Sequence, residues 1–481
     1  MSTNKSILWF RQDLRLRDNP SLSQACQSGE VIPVYIYDDK NPGPHAMGSA
    51  SQWWLHHSLS SLNESLNNNL LVMKGDPLAC LNAIIEETGA SSVFWNRCYE
   101  PWQIQRDKQI KSKLTDNGLS VTSSNGALLW EPWKIMNQSG SPYKVFTPYY
   151  RKGCLNAPSP RSPIAAPKNP RWLEVEKLNQ GIDSLKLLPD INWVEGMQKR
   201  WTPGEQGASD NLSKFLQGAV EEYKKSRDEP AQNGTSYLSP HLHFGEISPN
   251  QIWYAVLDKT SGSMDNKDVD CYLSELGWRE FSHYLLYHFP SLPKENFNAK
   301  FNAYPWLGKN AHLKAWQKGQ TGVPIVDAGM RELWQTGYMH NRVRMIVGSY
   351  LVKNLKTHWH HGEQWFWDCL LDADLAANSA SWQWVAGSGA DASPFFRIFN
   401  PVTQGERFDK QGEYVRQYCP EIAALPDKYI HQPWEAPADV LKEACIVLGK
   451  DYPEPLVDLK ASRKQALEDY EAVKNAEREP S

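Results

Sequence analysis

The stretch Ile7-Leu8-Trp9-Phe10-Arg11-Gln12-Asp13-Leu14-Arg15 decides the fold of the N-terminal part, because a short apolar run ends there in a charged turn. Three similar apolar runs follow at Val31–Tyr37, Leu70–Met73 and Val93–Trp95. Helical patterns lie between them, near Ser51–Leu66 and Leu78–Glu87. This alternation predicts a parallel sheet covered by helices. No G-x-G-x-x-G pattern follows the first run, so an ordinary dinucleotide-binding dehydrogenase is not indicated.

The length of 481 residues exceeds what one hydrophobic core usually organises, so two domains are expected. Residues 1–130 form the predicted α/β domain, which is Rossmann-like in its parallel sheet. Residues 131–204 are rich in Pro, Ser and Lys and lack sustained periodicity, which predicts a long interdomain linker. Residues 205–475 place apolar side chains at helical spacing, as in Leu212–Tyr223 and Asp327–Leu333, and predict an all-α domain.

Composition narrows the class of protein. The formal net charge of −4 argues against a uniformly basic nucleic-acid binder, but it permits a local basic groove. The 21 Trp suggest an aromatic ligand, because a buried indole needs a partner for its N–H. The 8 Cys form no C-x-x-C pair, and no long apolar stretch follows Met1. We therefore expect a cytoplasmic protein without a membrane span.

Several ordered motifs mark the helical part, and their length makes chance agreement improbable. They are Gly322-Val323-Pro324-Ile325-Val326-Asp327-Ala328-Gly329-Met330-Arg331, Met339-His340-Asn341-Arg342-Val343-Arg344-Met345, Asp372-Ala373-Asp374-Leu375-Ala376-Ala377-Asn378, Trp382-Gln383-Trp384 and Phe396-Arg397-Ile398-Phe399-Asn400-Pro401. With the N-terminal stretch, these motifs resemble the photolyase and cryptochrome family over nearly the whole chain. The resemblance implies an FAD-binding helical domain and a light-dependent activity.

The segment Gly234-Thr235-Ser236-Tyr237-Leu238-Ser239 offers hydroxyl and backbone N–H groups at an expected helix start. Such a start can cradle a pyrophosphate, although an ordinary Ser/Thr cap has the same pattern. The resemblance implies that this segment holds the phosphates of a folded FAD, with Tyr223 before it and Arg279 after it. It also implies cofactor contacts by Trp278, Arg344, Asp372, Ala373, Asp374 and Asn378.

Asp372 and Asp374 need charge partners if they are buried, and Arg344 is available. A structural salt bridge would explain this pattern. The resemblance implies instead that Arg344 and Asp372 pair beside the isoalloxazine, that Asp374 accepts from a ring N–H, and that Asn378 faces N5. A neutral Asn378 suits an anionic reduced flavin, whereas some plant cryptochromes have Asp there, so this position favours repair.

Three of the many Trp occupy positions that resemble the family's electron-transfer relay. They are Trp382 nearest the flavin, Trp359 next and Trp306 toward the surface. Packing in an aromatic-rich core would explain most of these Trp without any relay. Trp334, Trp365 and Trp367 are interpreted as packing.

The substrate end of the site combines a carboxylate, an amide and apolar or aromatic side chains that suit a flipped pyrimidine pair. The resemblance implies catalytic roles for Glu275, Asn341, Met345, Asn378 and Trp384. Glu275 precedes Trp278 by one helical turn and would bind the base edges, although a surface Glu has the same pattern. Relatives that repair the (6-4) photoproduct carry His around the positions of Asn341 and Met345, so this chain favours the cyclobutane lesion.

Binding of a duplex needs a basic rim, because phosphate contacts position it. The expected DNA-contacting residues are Arg227, Glu275, Trp278, Arg279, Asn341, Arg342, Arg397 and Gln404. Glu100 follows a strand end and resembles an acid that contacts a pterin, so we expect methenyltetrahydrofolate as antenna, with a deazaflavin as the alternative. His358, His360 and His361 have no Cys or paired carboxylates nearby, so no metal site is expected.

The resemblance implies a carbon–carbon lyase, a deoxyribodipyrimidine photo-lyase that uses blue or near-ultraviolet light and reduced FAD to split cyclobutane pyrimidine dimers in DNA. Its partner is then ultraviolet-damaged DNA, with which it associates in the nucleoid, and a monomer is expected. Three alternatives remain: a cryptochrome photoreceptor that repairs nothing, a (6-4) photolyase, and an enzyme for single-stranded DNA.

Overall fold

The structure is a computed structural model that describes residues 4–259, 265–392 and 396–475. Its N-terminal part contains a sheet of five parallel strands in the order β3-β2-β1-β4-β5. The strands are β1 (Lys5–Phe10), β2 (Glu30–Tyr37), β3 (Leu71–Lys74), β4 (Ser92–Asn96) and β5 (Ser120–Ser124). The predicted parallel α/β domain is therefore confirmed.

Helices cover both faces of this sheet. They are α1 (Pro20–Ser28), α2 (Ser49–Ser65), α3 (Pro77–Thr88) and α4 (Pro101–Asp116). Ile7 and its neighbour Leu8 point to opposite faces of β1 and are both fully buried, so each face has its own apolar core. The strand order reverses beside β1, and α/β sheets bind ligands at such a point.

Residues 131–204, the predicted linker, contain a π-helix (Pro148–Gly153), several short 3-10 turns and one short α-helix, α5 (Glu195–Arg200). They pack against both domains. Trp172 forms a parallel bridge with Val31 of β2. Farther along, Leu185 and Met197 are buried in the core on the α2 side of the sheet. This segment thus packs on the sheet, which its lack of periodicity did not predict.

The remainder of the described chain is helical, which confirms the predicted all-α domain. Its helices are α6 (Glu205–Gln217), α7 (Tyr223–Ser226), α8 (Ser239–His243), α9 (Pro249–Lys259), α10 (Lys267–His288), α11 (Ala311–Gln317), α12 (Pro324–Thr336), α13 (Asn341–Ser349), α14 (Trp359–Cys369), α15 (Leu375–Ala386), α16 (Pro401–Phe408), α17 (Glu413–Tyr418), α18 (Asp427–Ile430), α19 (Ala438–Glu443) and α20 (Leu459–Asn475). The helix expected over Leu212–Tyr223 is wrong in extent. Gly218, a poor helix former, ends α6, and a 3-10 turn separates it from α7.

Buried polar contacts fix the two domains to each other. Trp54 of α2 donates from Nε1 to Glu246 (2.9 Å), and the same carboxylate contacts His241 Nδ1 of α8 (2.5 Å). Arg15, also buried, donates to the carbonyl of Gly245 (2.8 Å). Because buried polar groups need such partners, these contacts set the register between the domains. None of the helices in the described ranges is long and apolar enough to span a membrane.

Candidate active site

The loop before α8, which is expected to hold the cofactor phosphates, has a sharply turned and tightly packed backbone. Tyr237 lies in the left-handed backbone region (φ 52°), and Gly234 is so close to Ser226 of α7 that a Cβ would overlap its carbonyl. Thr235 Oγ1 is buried and forms no hydrogen bond with any part of the chain that the structure describes. An unpaired buried hydroxyl is costly, so its position fits an oxygen acceptor from a ligand.

The other residues expected around the phosphates differ in burial and in the direction that they face. Tyr223 is buried against Tyr272, with ring centroids 5.1 Å apart. Leu238 is buried, while Ser236 is half-buried and Ser239 is exposed at the start of α8. In contrast, Arg279 donates to the carbonyl of Ala127 (2.9 Å) and to Glu280 (3.2 Å), so its charge faces the α/β domain.

Arg344 and Asp372 form an ion pair, with Nη2 at 3.1 and 2.9 Å from the two carboxylate oxygens. Arg344 also donates from Nε to the carbonyl of Met339 (2.7 Å), which fixes the guanidinium plane. Burial alone would lower the pKa of Arg344, but Asp372 raises it above its usual value. Ala373, between the two acids, is buried.

Asp374 belongs to a largely buried cluster that joins three helices of the helical domain, α8, α10 and α15. It caps α15 by accepting from Ala377 N (2.8 Å), and its other oxygen lies 3.4 Å from His283 Nε2 and 3.9 Å from His243 Nδ1. Burial would raise the pKa of Asp374, but the two imidazoles hold it well below its usual value. His283 has its pKa raised, because Asp374 outweighs the effect of burial. The site therefore contains a fixed anion beside an imidazole whose protonated form that anion favours.

Glu100 lies next to this cluster, although it belongs to the N-terminal end of α4. Burial and the charge of Asp374 raise the pKa of Glu100 to about 7. Its carboxylate accepts a hydrogen bond from Trp102 Nε1 (2.6 Å). The acid that we expect at the antenna thus lies between the sheet edge and the helical domain.

Asn378 is buried on α15 and donates from Nδ2 to the carbonyl of Glu363 (3.0 Å). That bond orients the amide, so its oxygen remains available for a ligand N–H. The side chain of Glu363 contacts Ser379 Oγ (2.5 Å), and burial raises the pKa of Glu363 to about 7. Glu363 thus contacts Asn378 through its backbone carbonyl and the next residue of α15 through its side chain.

The three Trp of the expected relay come from different elements that meet at the N-terminal half of α14: Trp359 begins this helix, Trp382 lies on α15 and Trp306 lies in the loop before α11. Trp306 and Trp359 lie on either side of His358, with ring centroids 5.3 and 5.6 Å from its imidazole. Trp382 packs against Gly362, one turn after Trp359, so closely that a Cβ there would overlap the indole. Burial lowers the pKa of His358 to about 4, so this imidazole is neutral near pH 7. Trp334 stacks on Trp365 (5.9 Å) and is exposed.

A chain of alternating charges lies at the expected substrate end. Arg227 contacts Glu275 of α10, and its Nε lies 3.9 Å from Asp228. Arg342 of α13 donates from Nε and Nη2 to the same Asp228 oxygen (3.3 and 2.7 Å). Burial raises the pKa of Glu275 although Arg227 opposes this effect. The structure therefore joins Glu275 and two of the expected DNA-contacting arginines through Asp228, which was not among the predicted site residues.

Aromatic and polar side chains complete this end. Trp278 stacks on Phe146, with ring centroids 3.8 Å apart, and Arg397 lies over Trp384 (4.9 Å). The other expected members are Asn341, which is exposed, Met345, which accepts from Arg342 Nη1 (3.8 Å), and Gln404, whose Oε1 is buried without a partner among the described residues. Arg397 is exposed, as a phosphate-contacting side chain requires.

Sequence reasoning missed His243, His283, Phe146 and Asp228. None lies in the motifs that carried the resemblance, and each reaches the site through the packing of distant segments. Only Asp228, adjacent to Arg227, had a local signal, because an acid beside a basic candidate is a ready partner. Among the residues that the structure describes, no group of three His, Cys or acidic side chains could hold a metal ion.

Two protein families match the chain. Residues 6–168 match the family described as DNA photolyase. Residues 272–472 match the FAD binding domain of DNA photolyase. The Arg344–Asp372 pair, Asp374, His283 and Asn378 all lie in the second of these ranges, whereas His243 lies between the two.

Relatives match over nearly the full length. The deoxyribodipyrimidine photo-lyase of Agrobacterium fabrum is 49% identical, with 98% of this chain and 99% of the relative covered. Cryptochrome-2 of Arabidopsis thaliana is 38% identical, with 96% and 78% covered. The crystal structure of a bacterial class III photolyase from Agrobacterium tumefaciens superposes with a TM-score of 0.94 at 49% identity, covering 99% of this chain and 98% of that one.

Proposed function

Because the chain belongs to the photolyase and cryptochrome family, we propose that it is a deoxyribodipyrimidine photo-lyase that splits cyclobutane pyrimidine dimers in ultraviolet-damaged DNA under blue or near-ultraviolet light. The observation that carries this proposal is the buried amide of Asn378, which the Glu363 carbonyl holds in place. The overall identity of 49% to a photo-lyase supports it. A repair enzyme needs a reduced flavin, and an amide adds no charge beside it.

The residues present fit FAD. Thr235 offers an unpartnered hydroxyl in a loop shaped for phosphates, and Arg344 supplies a fixed cation beside Asp372. The chemistry that bound, reduced FAD supplies is light-driven donation of one electron to the dimer, followed by its return. The chain's own residues would bind the phosphates, orient the ring and exclude water, which is the usual contribution of a protein to cofactor chemistry.

We assign the dimer to the space between α10 and α13. Glu275 would receive hydrogen bonds from the base N–H groups once Arg227 compensates its charge, and Asn341 would donate its amide. Trp384, under Arg397, and Met345 offer apolar surface for stacking. A dimer is poorly stacked in the duplex and therefore inexpensive to extrude, so recognition follows damage and no base-sequence preference is expected.

Trp382, Trp359 and Trp306 would carry electrons from the surface to oxidised flavin. Their contacts with the first turns of α14 support this assignment, because the neutral imidazole of His358 contacts both Trp306 and Trp359, and Gly362 contacts Trp382. The relay would restore the reduced flavin and would take no part in the repair reaction itself. Loss of the relay should therefore affect activation only.

The antenna proposed for Glu100 is methenyltetrahydrofolate, with a deazaflavin as the alternative. A carboxylate beside the indole of Trp102 suits a flat heterocycle with N–H donors. Its position next to Asp374 would place that heterocycle near the flavin site. Replacing Glu100 with Gln should weaken binding of added folate, measured by its near-ultraviolet absorbance; unchanged folate binding would exclude this site.

A light-sensing cryptochrome is the competing function, because plant cryptochromes match over 96% of the chain at 38% identity. The substrate residues distinguish the two. Glu275→Ala and Asn341→Ala should lower the yield of dimers split per absorbed photon, while FAD remains bound. Glu195→Ala, an exposed acid on α5, serves as control. Unchanged yields in both site variants would refute these substrate roles.

A further inference from the structure

Asp228 lies just after α7 and connects three elements at the mouth of the site. Its Oδ1 accepts two hydrogen bonds from Arg342 of α13, and it lies 3.9 Å from Nε of Arg227. Arg227 in turn contacts Glu275 of α10. The side chains of these four residues are between 18% and 30% exposed, so solvent and DNA can reach the network.

Each arginine is only partly used by this network. A guanidinium has five N–H donors in a rigid fork. Arg342 uses Nε and Nη2 on Asp228, while Nη1 contacts the sulfur of Met345 and packs with the guanidinium over Phe408 (4.4 Å). The acid thus fixes where the remaining donors point, which a mobile surface arginine would not do.

The network contributes little to folding, because partly exposed ion pairs are weak. Its main consequence is electrostatic. A carboxylate between two arginines competes with DNA phosphates for the same donors, and those phosphates provide most of the sequence-independent affinity for a duplex.

We infer that Asp228 is a positioning residue that restrains Arg227 and Arg342, so that they contact phosphates only where an extruded lesion brings the backbone to them. Undamaged duplex then receives few contacts from this side of the mouth, and selectivity for damage increases. This inference rests on the proposed function for the identity of the substrate.

The test measures dissociation constants in darkness, so that no repair occurs, for a duplex with one thymine dimer and for the same duplex undamaged. Salt concentration is varied. On the undamaged duplex, Asp228→Asn should make the plot of log Kd against log salt steeper by about 0.9 for one released arginine and about 1.8 for two. The preference for the damaged duplex should fall several-fold.

Two variants separate positioning from a structural role. Asp228→Glu retains the charge and should restore the slope toward that of the wild type. Asp427→Asn, which removes the acid of the Arg416 pair (2.8 Å), is the matched control and should leave the slope unchanged. FAD content and melting temperature establish that each variant folds.

Arg342→Ala provides a second measurement in the wild-type background. It should lower the slope by about 0.9 on the damaged duplex and by less on the undamaged one. Equal slopes for wild type and Asp228→Asn, or equal effects of Arg342→Ala on both duplexes, would overturn the inference. A wild type that binds both duplexes equally and repairs neither would count against the proposed function, whereas the slope on undamaged DNA would still decide the role of Asp228.

Discussion

Replacing Gly362 with Ala should displace the Trp382 indole and slow photoreduction of the flavin. A Cβ at this position would lie 2.5 Å from Cζ3 and 2.6 Å from Cζ2 of the ring, and closer still to Cη2. Ordinary carbon contacts need about 3.5 Å, so the ring would have to retreat by about 1 Å or more. Phe366 and Trp316 pack around this indole, with centroids 4.9 and 6.2 Å away, and leave it no space.

Overpacking of this kind costs about 1–3 kcal/mol in the free energy of unfolding. The assay is the rate of flavin reduction under blue light with an external electron donor, alongside denaturant unfolding. Gly218→Ala is the control, because a Cβ there would meet no atom within 4 Å. Protein reduced chemically beforehand should still repair. A Gly362→Ala protein that is destabilised but reduces its flavin at the wild-type rate would refute the assignment of Trp382 to the relay.

Three further substitutions test other parts of the site. Trp382→Phe should abolish photoreduction, while the chemically reduced variant still repairs. Trp334→Phe should leave both photoreduction and repair unchanged. If Trp382→Phe were photoreduced at the normal rate, this Trp would not belong to the relay. Burial raises the pKa of Glu100 from 4.5 to about 7, so the wild-type protein loses stability as pH rises through that window. The free energy of unfolding of Glu100→Gln should therefore exceed that of the wild type by up to about 3 kcal/mol above pH 7 and equal it below pH 4. A gain that does not depend on pH would contradict this prediction. Arg344→Met leaves the Asp372 carboxylate unpaired and should lower the free energy of unfolding by about 3–5 kcal/mol, with loss of FAD. Asp427→Asn, at the partly exposed pair with Arg416, should lower it by under about 1 kcal/mol. Similar losses for both variants in unfolding experiments would refute this difference.

The strands were predictable where burial on both faces demands apolar side chains. Val93 and its neighbours in β4 are buried and form such a run. The edge strand β5, Ser120–Ser124, was not predicted, because its side chains are mostly polar and partly exposed. Local signals also failed at Gly218, where α6 ends.

The site was predictable where a motif brings its own partners close. Asp374 caps α15 two residues after Asp372, and both lie in one of the motifs that carried the resemblance. His283 and Asp228 could not be assigned to the site, since their contacts join helices far apart in the chain. The packing of α10 against α15 brings His283 to Asp374, and Asp228 meets Arg342 of α13 only in the folded chain.

We propose that this chain repairs cyclobutane dimers with light. The most direct test illuminates chemically reduced, FAD-loaded protein with a thymine oligonucleotide that contains the dimer, and follows recovery of the thymine ultraviolet absorbance. We predict recovery under blue light and none in an identical dark sample. Flavin-loaded, reduced protein that restores no absorbance under light would contradict the account and favour a photoreceptor or repair of the (6-4) lesion.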